Sequence, residues 1–296
     1  LPLKDANLSI TSSPVLYGLS VYTVLCVYWS EHDRKLYAFR LWEHYDRLVN
    51  SAKIMDFHNF VVDWPYDRFE SMVRELLQRN SVQQDVHIRV TVFVDEQLAG
   101  TKIHGLKNSL SAFVYPMGGL FPESGIDVCV SSWQRNADNA IPARAKVNGS
   151  YINASLMKNE ALQNGFHDAI AIDQFGHVSE STVANLFIVR QGELISPDNS
   201  TDLLEGITRD SILELAKHLG IPFQLRSIDR SELYIADEVF LCGSSAGIVP
   251  IVSVDRRPIA EGKPGKLAQQ LEENLGKILH GDIKQFANWR LEVSSS

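Results

Sequence analysis

The amino-acid sequence predicts a mixed α/β (α+β) fold in two domains, and three observations carry that expectation. In the first third, β-rich runs alternate with segments of helical periodicity. Between residues 112 and 125, glycines and prolines break the pattern, and beyond them short apolar strands accompany one amphipathic helix.

Taken in order, VYTVLCVYW (residues 21–29) and HIRVTVFV (87–94) are rich in β-branched and aromatic residues and predict strands. WEHYDRLVNSAKIM (42–55) and YDRFESMVRELLQRN (66–80) predict helices. In the second, Phe69, Met72, Val73, Leu76 and Leu77 recur at spacings of three and four and define one apolar face. AFVYPMGGLFPESG (112–125) carries three glycines and two prolines, which suit neither a helix nor an interior strand. The domain boundaries follow: a small N-terminal α/β domain over residues 1–117, a connection over 118–126 and a larger C-terminal domain over 127–296. Within the latter, AIAID (169–173), NLFIV (185–189) and EVFLCG (238–243) predict strands, residues 209–219 a helix, and Gln191-Gly192 the turn of a hairpin.

Composition narrows the function. The 296 residues are 45% hydrophobic and 22% charged with a net charge of −8, which describes a globular protein without a general basic surface for nucleic acid. Three scattered cysteines, Cys26, Cys129 and Cys242, fit neither a disulfide framework nor a paired zinc-ligand motif and suggest a reducing, cytoplasmic setting. No apolar run reaches membrane-spanning length, and the first residues lack the basic and apolar regions of a signal peptide, so neither a membrane nor an export route is expected.

Four constellations could carry chemistry. Lys146, among the small or apolar Ala143, Ala145, Val147 and Gly149, could form an imine if its pocket lowers its pKa, although an exposed strand lysine has the same composition. Gly206, Ile207 and Thr208 precede an apolar helix whose N–H groups could face an anion; a plain helix start capped by Thr208 is the alternative. Gly243-Ser244-Ser245-Ala246-Gly247 follows an apolar strand and could bring backbone amides close to a ligand, or form only a tight turn. Glu180, between Gly176 and an apolar strand, could pair with a protonated ring nitrogen or be a solvated strand-end acid. Arg47 on a helix could clamp a phosphate, and Arg89 inside an apolar strand must find a partner or a polar cavity.

Taken together, the segments AKVNGSYINASLMKNEA, ESTVANLFIV, LLEGITRDSILELAKHLGI and ELYIADEVFLCGSSAGIVPI resemble the class IV, fold-type IV pyridoxal-phosphate aminotransferases, over about residues 17–265. The resemblance implies a small α/β domain joined to a larger pseudo-barrel domain, with pyridoxal 5′-phosphate as cofactor and no metal. It makes Lys146 the catalytic imine lysine. Arg47, Ile207, Thr208 and Ser244 would hold the phosphate, Tyr151 the phenolic oxygen and Glu180 the pyridinium nitrogen, leaving Tyr17, Tyr22, Arg89, Ser245 and Ala246 for substrate. Arg89 and the segment SSWQRN favour branched-chain aminotransferases, which transfer an amino group from leucine, isoleucine or valine to 2-oxoglutarate. The strand VYTVLCVY, where those enzymes commonly read VFEGIRAY, His87 in place of a tyrosine, and Ala184 in place of an acid keep a D-amino acid or (R)-amine transaminase, then an aminodeoxychorismate lyase, as alternatives. The resemblance also implies small amino acid and keto acid partners and a homodimer or larger homo-oligomer.

Overall fold

A computed structural model describes residues 2–96, 100–119, 121–122 and 124–294. Its chain divides into two compact units, residues 1–117 with 145–149 and 279–296, and residues 118–144 with 150–278. This division differs from the sequence-based boundaries in assigning 145–149 and 279–296 to the first unit. Leu120 and Glu123 of the expected connection lie outside the described residues.

The first unit is built on a five-stranded sheet. Strands β1 (Ser20–Ser30), β2 (Lys35–Phe39), β3 (Val86–Val94) and β4 (Asn108–Pro116) are joined late in the chain by β14 (Arg290–Glu292), in the order β14-β2-β1-β3-β4, with every pairing antiparallel. Helix α1 (Ser13–Tyr17) precedes the sheet; α2 (Leu41–Ile54), α3 (Phe60–Asp63) and α4 (Tyr66–Arg79) connect β2 to β3. The predicted face of α4 is the face that packs. Phe69, Val73 and Leu77 are buried, and Met72 and Leu76 lie partly buried against the same core as Leu25, Leu48 and Ile88.

One expectation changes. The first five residues of the glycine- and proline-rich stretch belong to β4, which extends to Pro116. The physical reason is position: β4 is an edge strand, where a missing N–H leaves no ladder bond broken on the solvent side.

The second unit is a curled, half-barrel sheet of nine strands: β5 (Ile126–Val130), β6 (Asp168–Ile172), β7 (Val178–Ser181), β8 (Asn185–Arg190), β9 (Glu193–Ser196), β10 (Phe223–Leu225), β11 (Glu238–Gly243), β12 (Gly247–Val254) and β13 (Arg257–Pro258). Their order is β10-β9-β8-β11-β12-β5-β6-β7, with β13 on β12. The β8–β9 hairpin turns at Gln191 and Gly192, both with positive φ (53° and 79°), as a type I′ turn demands. Helices α5 (Tyr151–Gln163), α6 (Ile207–His218) and α7 (Arg230–Leu233) cover the sheet, and α8 (Lys266–His280) follows it. Leu186, Ile188, Leu241 and Ile251 centre the core.

Candidate active site

In the first unit the candidate residues converge on β1. The segment carrying Lys146 forms no regular strand but bridges β1: Val147 pairs with Val21, and the Tyr22 N–H donates to the Lys146 carbonyl at 3.0 Å. On the other side the Lys146 N–H donates to Ser51 Oγ at 3.1 Å. With its backbone fixed at both groups, the side chain places Nζ 5.0 Å from the centroid of the Tyr22 ring. Arg89 finds its partners at the same place. Its guanidinium lies 3.7 Å from that ring centroid, and Nη2 donates to Asn148 Oδ1 at 3.2 Å. Tyr17, at the end of α1, is exposed and leads into Gly18 at φ +69°, where a Cβ would come within 2.9 Å of Gly149 Cα. Only glycine permits that approach of α1 to the lysine segment.

Arg47 extends from α2 to β1, donating from Nη2 to Thr23 Oγ1 at 3.3 Å, while Thr23 Oγ1 is also bonded to His44 Nδ1 at 2.9 Å. His44 is fully enclosed. Burial holds its imidazole well below the usual range, and the positive charges of Arg47, Arg40 and Lys146 push it the same way. Three cations thus lie near this histidine, and Arg40 among them is paired with Glu43 at 2.8 Å.

In the second unit, β7 is anomalous in composition, since Ser179, Glu180, Ser181 and the following Thr182 are all buried. Polar groups withdrawn from water must be bonded within the protein. Glu180 meets that requirement: Oε1 pairs with Arg135 Nη2 at 2.5 Å, and Oε2 accepts from Asn185 Nδ2 at 2.9 Å and from the Leu204 N–H at 3.3 Å. The carboxylate is therefore buried and bonded rather than solvated at a strand end.

Asn185 links Glu180 to the start of α6. It donates to the Leu204 carbonyl as well, at 2.9 Å, and Gly206 packs so closely that a Cβ there would fall on Asn185 Oδ1. Gly206 is the N-cap of α6, with Ile207 and Thr208 in the first turn, so the capping role weighed for Thr208 falls to a glycine that carries no side-chain oxygen. No side chain caps the start of α6, and the positive end of its dipole lies there. Asn185 is opposite Cys242 in the β8–β11 register, which brings the Ser244-Ser245-Ala246 turn alongside. The small Ala184 makes room for it: a Cβ on Gly243 would be 3.7 Å from Ala184 Cβ. Tyr151 opens α5, whose first turn is tied by Asn153 Nδ2 to the Gln134 carbonyl at 2.9 Å, next to Arg135.

Thus the structure gathers Lys146, Tyr22, Arg89 and Arg47 in one unit and Glu180, Ile207, Thr208, Ser244, Ser245 and Ala246 in the other, with Tyr17 and Tyr151 flanking each set. Sequence reasoning missed Thr23, His44, Ser51 and Asn148 in the first, and Arg135 and Asn185 in the second. Arg135 and Asn185 lay inside quoted motifs, but only the burial of Glu180 reveals that they hold a charge.

An amine on anchored backbone near cationic side chains in the first unit, and a buried, bonded carboxylate in the second, are groups that an enzyme handling an anion and protons requires. The chain belongs to the class IV aminotransferases, whose family model matches residues 20–254, from the first residue of β1 to the last of β12. Among relatives, a probable branched-chain-amino-acid aminotransferase of Aquifex aeolicus is 34% identical, covering 99% of this chain and 94% of its own. The branched-chain aminotransferase of Thermoproteus uzoniensis, crystallised with norvaline, superposes with a TM-score of 0.91 at 32% identity, over 98% of this chain and 95% of that one. The branched-chain amino acid aminotransferase of Thermobaculum terrenum, in its PLP-bound holo form, gives 0.90 at 30% identity, over 100% and 96%.

Proposed function

We propose that this chain is a pyridoxal-phosphate-dependent aminotransferase that transfers the amino group of a branched-chain L-amino acid to 2-oxoglutarate in two half-reactions. The single observation that carries the reading is the cluster of Lys146 Nζ and the Arg89 guanidinium on one Tyr22 ring. The full-length likeness to branched-chain aminotransferases supports the choice of substrate.

The residues fit the cofactor. A phosphate suits Arg47, the Ile207 and Thr208 amides and Ser244; a pyridinium nitrogen suits the Glu180 carboxylate; a phenolic oxygen suits the Tyr151 hydroxyl; and Lys146 is the amine that would anchor the aldehyde carbon. When bound, pyridoxal phosphate supplies an electron sink for the pair left at the substrate α-carbon. The chain does the rest. Lys146 Nζ would take the α-proton and return it across the amino-group transfer, while Glu180, held in place by Arg135 and Asn185, would keep a proton on the ring nitrogen. Arg89, the Ser245 and Ala246 amides, Tyr17 and Tyr22 orient the substrate carboxylate and exclude water from its side chain.

The test compares L-leucine with D-alanine and (R)-1-phenylethylamine, each with a keto acid acceptor. Turnover of L-leucine with 2-oxoglutarate is expected, whereas turnover of D-alanine or the amine alone would replace this reading with a D-amino acid or (R)-amine transaminase. Borohydride reduction followed by peptide mapping is expected to mark Lys146. A cytoplasmic homodimer is part of the same proposal, checked by light scattering; among the described residues no helix is long and apolar enough to cross a membrane.

A further inference from the structure

We infer that Asp56, His58 and His104 form a binding site for one divalent transition-metal ion of the zinc class, separate from the amino-transfer residues. The three side chains each offer one donor atom, and all these atoms lie within 4.8 Å of one another. Two imidazoles and a carboxylate are the donor set that borderline cations prefer, and such a three-ligand site leaves a position for water.

The ligands come from two distant stretches, and each is mounted on anchored backbone. Asp56 and His58 flank Phe57, which is buried in the core of the first unit, and the Phe57 N–H donates to the Ala52 carbonyl at 2.8 Å. Asp56 itself occupies the left-handed region at φ +62°, a conformation aspartate tolerates better than most residues. His104 sits at the tip of a turn closed by the Leu106 N–H to the Ile103 carbonyl at 3.0 Å, with Gly105 at φ +72°. Ile103 and Leu106 on either side pack against the same core as Phe57. Packing has therefore fixed both backbones while all three side chains remain exposed to an entering ion.

The side chains are already drawn together. His104 Nδ1 is 2.6 Å from Asp56 Oδ2, and the two imidazole rings are 5.7 Å apart at 35°. An ion with bonds of ~2.0 Å to nitrogen and oxygen needs donors ~3.3 Å apart, which rotation of two exposed imidazoles supplies without backbone movement. The bound ion would clip the β3–β4 connection to the end of α2, the helix that carries His44 and Arg47. Its role is structural: it shortens the freedom of a loop and of a helix end.

The experiment titrates tag-free holoenzyme, stripped of metal by dialysis against chelator, with Zn2+ against a chromophoric competitor and with Co2+ followed by its visible absorbance. One ion per chain is expected, with a rise in the thermal midpoint when Zn2+ is present. His104→Ala and His58→Ala should each weaken binding at least about tenfold and abolish the rise. Both variants are exposed replacements, and an unchanged cofactor spectrum verifies that they remain folded. The absence of a stoichiometric ion in the wild type, or equal binding in both variants, overturns the inference and leaves the Asp56–His104 contact as a hydrogen bond.

Discussion

Arg135 Nη2 and Glu180 Oε1 meet at 2.5 Å with both side chains almost wholly removed from solvent. The pair is costly to break, because either partner alone would leave a charge in a poorly solvating interior. Arg135→Met is expected to destabilise the folded protein by about 3–5 kcal/mol, measured by urea denaturation. It should also lower kcat, because Glu180 would lose the partner that fixes its Oε1.

His44 makes stability depend on pH. Its folded pKa lies well below the ordinary 6.5, so above that value both states carry a neutral ring and its contribution is complete. As the pH falls below 6.5 the unfolded chain binds a proton that the folded one refuses. Stability should then fall by as much as about 1.4 kcal/mol per pH unit until the folded value is reached. Urea midpoints of the wild type and His44→Asn between about pH 7.5 and 5.5 check this; the wild type should lose the more.

Gly206→Ala tests the link between Asn185 and the start of α6. The backbone there, at φ −77° and ψ 132°, suits alanine, so any effect is steric. The new methyl group would displace Asn185 from Glu180 and from the Leu204 carbonyl. A loss of about 1–3 kcal/mol is expected, with weaker cofactor binding in a fluorescence titration.

Arg89→Lys separates shape from charge. Lysine keeps the positive charge but loses the planar group that lies on Tyr22 and reaches Asn148. KM for the amino acid should rise roughly tenfold to a hundredfold, with a smaller change in kcat.

The cysteines should be silent. Cys26, Cys129 and Cys242 are free and buried, and burial pushes the thiols up, to about 12 for Cys26, about 11 for Cys129 and further for Cys242. Ellman's reagent is expected to find no fast thiol in the native enzyme and all of them after denaturation.

What could be read from sequence was whatever a single segment encodes. The face of α4 is written in its spacing, and the hairpin at Gln191-Gly192 in two residues that accept positive φ. Arg89 stood out because a charge inside an apolar strand needs an explanation, whereas Lys146 and Glu180 gained their expected roles only from the resemblance carried by four ordered motifs. Pairings across long separations were not legible: nothing in Arg290–Glu292 announces that it completes the sheet against β2. The same holds for Thr23 and Arg135, ordinary residues whose importance comes from the charge each one touches, and for His44, which holds Thr23. The end of β4 was hidden for a different reason, because an edge position relaxes the rules that Pro116 seemed to violate.

The pairing of β14 with β2 has a bearing on how the protein is made. Translation is vectorial, and the sheet that holds Lys146 in place draws one of its outer strands from a stretch synthesised only after the last residue of the second unit. The nascent first unit must therefore wait with the β2 edge uncovered, the kind of surface on which other chains can add. A helper that shields that edge during synthesis, or slow growth at low temperature, should raise the yield of active enzyme more than any change made to the half-barrel.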